Sequence, residues 1–102
     1  MKLKKASERN FPKILSSSKP VMINFSAPWC TACARADKIL SEFAEENPSL
    51  NIYKLDVDEN MDITNLYGVM NVPTVMVFEN KKVKSKITGS FTKDDIENLM
   101  EQ

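Results

Sequence analysis

The change of hydrophobic period between Val21 and Leu40 constrains the fold more than any other feature of this sequence. Residues 21–26, VMINFS, form a short apolar run rich in strand formers, and the Ser16-Ser17-Ser18-Lys19-Pro20 stretch before it reads as a loop. From Thr31 onward the apolar residues recur at helical spacing. Cys33, Ala36, Leu40, Phe43 and Ala44 fall on one face, with Arg35, Lys38, Glu42, Glu45 and Glu46 largely elsewhere. A buried strand therefore feeds an amphipathic helix, which stops near Asn47-Pro48.

The same reading extends along the chain. Residues 51–57 (NIYKLDV) alternate as a second strand, and residues 62–67 (DITNLY) make a short helical segment closed by Gly68 as a C-terminal cap. Residues 74–78 (TVMVF) and 83–88 (VKSKIT) are two strands separated only by residues 79–82, which predicts an antiparallel hairpin. Thr92-Lys93-Asp94-Asp95 is a capping-box variant opening a last helix through Ile96, Leu99 and Met100. At the N-terminus residues 2–5 are expected as a short edge strand. Asn10 is expected to cap a brief helix that tolerates Pro12 in its first turn. Met22, Met70 and Met76 are expected as core or near-core fillers. At 102 residues, without repeats or linkers, residues 1–102 are expected to form one α/β domain.

Fourteen basic residues balance fourteen acidic ones, and the lysines are scattered, so nothing in the charge pattern would gather nucleic acid. No apolar stretch of signal-peptide or membrane-spanning length is present. The expectation is a cytoplasmic protein without a membrane partner, and a monomer. With only two glycines and no Gly-rich dinucleotide fingerprint, no bound cofactor is expected.

The chemistry is expected at Cys30 and Cys33, the only cysteines of a chain that has no histidine. Cys30 lies where the strand gives way to the helix, and Thr31, Ala32 and Cys33 occupy the first helical turn. First-turn N–H groups lack intrahelical partners and, with the helix dipole, favour a thiolate placed there. Cys30 is then the nucleophile. Cys33, about one turn deeper, is placed to attack a sulfur bound to Cys30 and acts as the resolving thiol. Two other readings of the pair stand beside this one. A metal site would need two further ligands, available only by bridging two copies, and a pair of inert buried thiols would waste a helix N-terminus. Trp29 beside Cys30 either lines the site or merely packs. Lys54 and Asp58 are either solvated strand-end charges or, for Lys54, a group that tunes the site.

The sequence resembles the thioredoxin family over nearly its whole length. The matching pieces are Asn24-Phe25-Ser26-Ala27-Pro28-Trp29-Cys30-Thr31-Ala32-Cys33, Lys54-Leu55-Asp56-Val57-Asp58, Tyr67-Gly68-Val69 with Val72-Pro73-Thr74, and Gly89. The resemblance implies the thioredoxin fold, a central mixed β-sheet of four to five strands flanked by helices, with the active site beside a loop carrying a cis proline, Pro73. It also implies that Val72 pairs through its backbone with an extended substrate segment, in a groove bordered by Trp29 and Gly89.

The chain departs from the family pattern in four places: Asn24 stands for a buried aspartate, Ser26 for a tryptophan, the pair Thr31-Ala32 for Gly-Pro, and Lys38 for a helix proline. Asn24, Thr31, Ala32 and Lys54 are therefore candidates for tuning the redox step. The activity implied is reduction of protein disulfides by dithiol exchange, with electrons from a separate thioredoxin-reductase-type donor. A disulfide donor or isomerase, and a thioredoxin-fold binding module with incidental thiols, are the alternatives.

Overall fold

Every residue of Val21–Ser26 is buried, the pattern of a strand covered on both faces. In the computed structural model, which describes residues 3–102, this segment is the central strand of a five-stranded sheet. In chain order the elements are β1 (Lys4–Ala6), α1 (Phe11–Leu15), β2 (Val21–Ser26), α2 (Thr31–Glu46), β3 (Asn51–Asp56), α3 (Met61–Leu66), β4 (Thr74–Glu79), β5 (Lys82–Thr88) and α4 (Lys93–Glu101). The strands lie in the order β1-β3-β2-β4-β5. β1 and β2 run parallel to β3, whereas β4 is antiparallel to both β2 and β5. This is the mixed sheet flanked by helices that the resemblance implies.

Side-chain alternation along β2 sorts the interior into two layers. Val21, Ile23 and Phe25 join Phe11, Ile14, Leu55, Ile63 and Phe78 beneath α1 and α3. There Phe11, Tyr67 and Phe78 meet with ring centroids 5.2 to 5.8 Å apart. On the opposite face Met22 packs with Ala36, Leu40 and Phe43 of α2 and Ile96 and Leu99 of α4. Leu40 is fully enclosed, so truncating it to alanine is expected to cost about 2–5 kcal/mol, the range for a core leucine. Asn24 and Ser26 share the parity of Met22, so β2 turns two buried polar side chains toward α2.

The element ends follow local chemistry. Gly68, at φ 65°, sends its N–H to Asn65 O at 3.1 Å, and Val69 N–H reaches Thr64 O at 3.0 Å, which closes α3 as a Schellman motif. The hairpin is tighter than expected. β4 and β5 extend to Glu79 and Lys82, leaving Asn80 (φ 55°) and Lys81 (φ 68°) as a two-residue type I′ turn whose twist suits the flanking strands. Both halves of the Thr92–Asp95 capping box are formed at the start of α4.

Three expectations need correction. The first strand begins at Lys4 and ends at Ala6, because Ala6 can fill the interior while the lysines stay at the edge; Lys2 lies outside the described residues. Asn10 occupies the N-cap position of α1, but its side chain turns backward. Its Oδ1 accepts from Ser7 N–H at 2.7 Å and its Nδ2 donates to Lys5 O, so it fixes the preceding turn and not the helix. Met22 and Met76 are buried, but Met70 is 90% exposed, since it lies in the loop between α3 and the sheet where no layer covers it.

Candidate active site

Cys30 is the N-cap of α2, held in an extended conformation at the point where the chain leaves the strand layer. Its Sγ accepts the Cys33 N–H at 3.1 Å, the position in which a serine or aspartate oxygen normally satisfies a first-turn donor. On its other side the Cys30 thiol reaches the Val72 carbonyl at 3.8 Å. Cys30 is half-buried, while Cys33 is 1% exposed. The amphipathic pattern explains the difference, because Cys33 belongs to the stripe that continues through Ala36, Leu40 and Phe43. Thr31 is exposed and Ala32 half-buried in the intervening turn.

Burial pushes the Cys33 thiol above its ordinary pKa, and the hydrogen bond and charge of Cys30 add to that shift; Ser26 and the Ala27 backbone work against it. Ser26 thus neighbours the deeper thiol. Its Oγ is fully buried and has no hydrogen-bond partner that meets ordinary geometry, as is also true of Asn24 Oδ1.

The Val72–Pro73 peptide bond is cis, and Pro73 is buried directly before β4. Gly89 N–H donates to Pro73 O at 2.8 Å, tying the end of β5 to this loop. Beside Cys30 a groove of about 270 Å³ is lined by Trp29, Val57, Thr64, Val69, Met70, Asn71 and Val72. Trp29 and Val72 therefore share a groove. Gly89 holds Pro73 from the position just past β5, at the edge next to Val72. The Trp29 ring is 69% exposed, and its Nε1 donates to Asp58 Oδ2 at 2.7 Å, so it is not a core residue and Asp58 is not merely a solvated charge.

Asn24 and Lys54 stand opposite each other in the β2–β3 register and converge on one carboxylate. Asn24 Nδ2 donates to Asp37 Oδ1 at 2.9 Å, and Lys54 Nζ pairs with Asp37 Oδ2 at 2.5 Å. Asp37 lies beside the site although the motif reading does not include it, and Asp58, which that reading left as a strand-end charge, holds Trp29. The available signal for Asp37 was its position four residues after Cys33, on the flank of an otherwise apolar stripe.

The comparison with known proteins bears directly on this cysteine pair. The family model described as Thioredoxin matches residues 2–102. The chain belongs to the thioredoxin family. Among similar proteins, the thioredoxin of Alicyclobacillus acidocaldarius subsp. acidocaldarius is 33% identical over 92 residues, covering 89% of this chain and 88% of that one. A thioredoxin of Rickettsia bellii is 33% identical over 85 residues, covering 82% and 81% respectively. A bifunctional thioredoxin reductase/thioredoxin of Mycobacterium leprae is 36% identical over 81 residues, 78% of this chain but 18% of that protein. As a thioredoxin-family member with a Cys-x-x-Cys motif at Cys30 and Cys33, the chain is a thiol-disulfide oxidoreductase.

Proposed function

We propose that this thioredoxin-family chain reduces disulfides of cytoplasmic proteins as one domain spanning residues 1–102, with Cys30 as the attacking thiol and Cys33 as the resolving thiol. The observation that carries the assignment is the Cys33 N–H aimed at Cys30 Sγ at 3.1 Å, with Cys30 accessible and Cys33 enclosed. A backbone donor on sulfur stabilises negative charge at Cys30, and enclosure keeps Cys33 away from any disulfide not already attached to Cys30. A pair of thiols in a chain without other cysteines suits a reducing compartment.

The reaction then has two steps. Cys30 thiolate attacks one sulfur of the substrate disulfide, forming a mixed disulfide and releasing the first substrate thiolate. Cys33, as thiolate, attacks Cys30 Sγ, forming the Cys30–Cys33 disulfide and releasing the second. Two electrons pass from the dithiol to the substrate. In this reading the groove between Trp29 and Val72 receives the substrate segment, Val72 offers backbone pairing, and Pro73 with Gly89 fixes the shape of that edge. A separate reductase returns the electrons, a pairing supported by the Mycobacterium leprae relative, whose name joins reductase and thioredoxin in one chain.

Cys33→Ser is expected to accumulate a mixed disulfide with a protein substrate, and Cys30→Ser to be inert in dithiothreitol-driven insulin reduction. Limiting iodoacetamide that alkylates Cys33 ahead of Cys30 would overturn the assignment.

A further inference from the structure

Within the two-step reaction proposed above, the second step meets an obstacle that the first does not. Cys33 must lose a proton to attack, yet it is enclosed and burial disfavours its thiolate. Ser26, which neighbours it, and Asn24, two residues back on the same face of β2, are neutral and cannot hold the proton.

We propose that Asp37 accepts the Cys33 thiol proton, delivered through the Ser26 hydroxyl and water, while Asn24 and Lys54 hold the carboxylate in place. Four observations support this path. Asp37 follows Cys33 by four residues on α2, which brings the two Cβ atoms to roughly 5–6 Å, and helical side chains lean toward the N-terminus, so Asp37 leans back toward Cys33. Its carboxylate is fixed from two strands at once, by Asn24 Nδ2 and Lys54 Nζ, and its side chain is only 20% exposed. Ser26 Oγ and Asn24 Oδ1 are buried polar atoms without a protein partner on the same face of β2, the circumstance in which buried water is normally recruited. A cavity of about 70 Å³, lined by Ser26, Ala27, Pro28, Lys54 and Asp56, is roomy enough for water and joins Ser26 to Lys54, the residue that pairs with Asp37.

The atoms balance without another reagent. Cys33 S–H gives its proton to Ser26 Oγ as the Ser26 proton moves to water and a water proton moves to Asp37. The Cys33 thiolate then forms the bond to Cys30 Sγ, the bond between Cys30 and the substrate sulfur breaks, and the electron pair leaves with the substrate thiolate. Asp37 afterwards returns its proton to solvent. Asp37 touches none of the reacting sulfurs and is a positioning and proton-holding residue. The charged and titratable groups around the path are Cys30 at the N-cap of α2, Asp37 on α2, and Lys54 and Asp56 from β3; β4 contributes the apolar Val75.

Stopped-flow reaction of the reduced protein with dithiobis-nitrobenzoate separates the steps, since the first nitrothiobenzoate reports attack by Cys30 and the second reports resolution by Cys33. In Asp37→Asn the second release should slow about 10-fold or more near pH 6–7, and the deficit should close toward about pH 9 as thiol ionisation no longer needs an acceptor. The first release should be unchanged, and Asp37→Glu should restore most of the second. Ser26→Ala should show the same pH-dependent deficit. A wild-type pH profile for the second release in either Asp37→Asn or Ser26→Ala, or an equal slowing at every pH, overturns the relay. A first release that vanishes in Cys33→Ser instead of Cys30→Ser overturns the thiol order on which the relay rests.

Discussion

The indole N–H of Trp29 is bonded to Asp58 across 29 residues of sequence, at 2.7 Å, while the ring itself stands 69% exposed at the edge of the groove. An exposed aromatic surface of this kind is useful to a substrate only when the ring is already oriented, because ordering it on binding would cost side-chain entropy. Asp58→Ala is therefore expected to raise KM for a protein disulfide by about 3-fold or more. Loss of one exposed hydrogen bond should lower stability by less than about 1 kcal/mol. Steady-state insulin reduction and urea unfolding measure the two quantities, and an unchanged KM would remove the orienting role.

Asn24 presents an amide donor to Asp37, and Asn24→Asp replaces that donor with a second carboxylate at the same short distance. Two carboxylates in contact resist joint ionisation, so one carboxyl in the variant titrates higher when folded than when unfolded. A raised folded value stabilises below the unfolded pKa and loses that contribution as pH rises through the folded one. The variant should therefore be close to wild type near pH 4 and less stable by roughly 1–3 kcal/mol at neutral pH. Urea denaturation across that range checks the sign. A penalty that is constant with pH would mean that the two carboxyl groups do not meet.

The enclosed Cys33 thiol makes the same argument at the alkaline end. Its folded pKa lies above the ordinary thiol value, mainly because burial disfavours the thiolate. Above about pH 8.5 the unfolded thiol has lost its proton while the folded one keeps it, so reduced protein should lose up to about 1.4 kcal/mol per pH unit there. Cys33→Ala lacks that group. Parallel stability curves for reduced wild type and Cys33→Ala between about pH 8 and 10 would contradict the shift.

Ala32 contributes an N–H to the first turn of α2 that a proline would lack, in the turn whose cap is Cys30 Sγ. More first-turn donors stabilise the reduced, thiolate form and make a dithiol more oxidising. The Thr31→Gly, Ala32→Pro double variant should therefore be more reducing than the native chain. Equilibration of both proteins with glutathione compares them directly, and a variant of equal or more oxidising potential defeats the argument.

How much of this was legible in the chain itself differs by element. The strand at Val21–Ser26, the helix from Thr31, the Gly68 cap and the Thr92 capping box rest on periodicity and on bonds between residues a few positions apart, which short segments specify by themselves. The cysteine chemistry was legible for the same reason, since Cys30 and Cys33 meet within one helical turn. The N-terminal segment was less so. Asn10 can bond backward to Ser7 and Lys5 or forward into α1, and these two local options compete for one side chain without a periodicity that separates them.

What the tertiary structure alone decided is where distant polar groups meet. Cys30 reaches Val72 across 42 residues, Trp29 finds Asp58 across 29, and Asp37 is held by Asn24 and Lys54 from two strands. Met70 became exposed because no layer covers its loop, whereas Met22 and Met76 lie inside the sheet. The amino-acid sequence determined which segments are strands and helices and which two sulfurs react, because periodicity and neighbour contacts are properties of short stretches. Strand order and register determined the surroundings of those sulfurs, because hydrogen bonds and burial depend on distances that only packing of the whole chain sets.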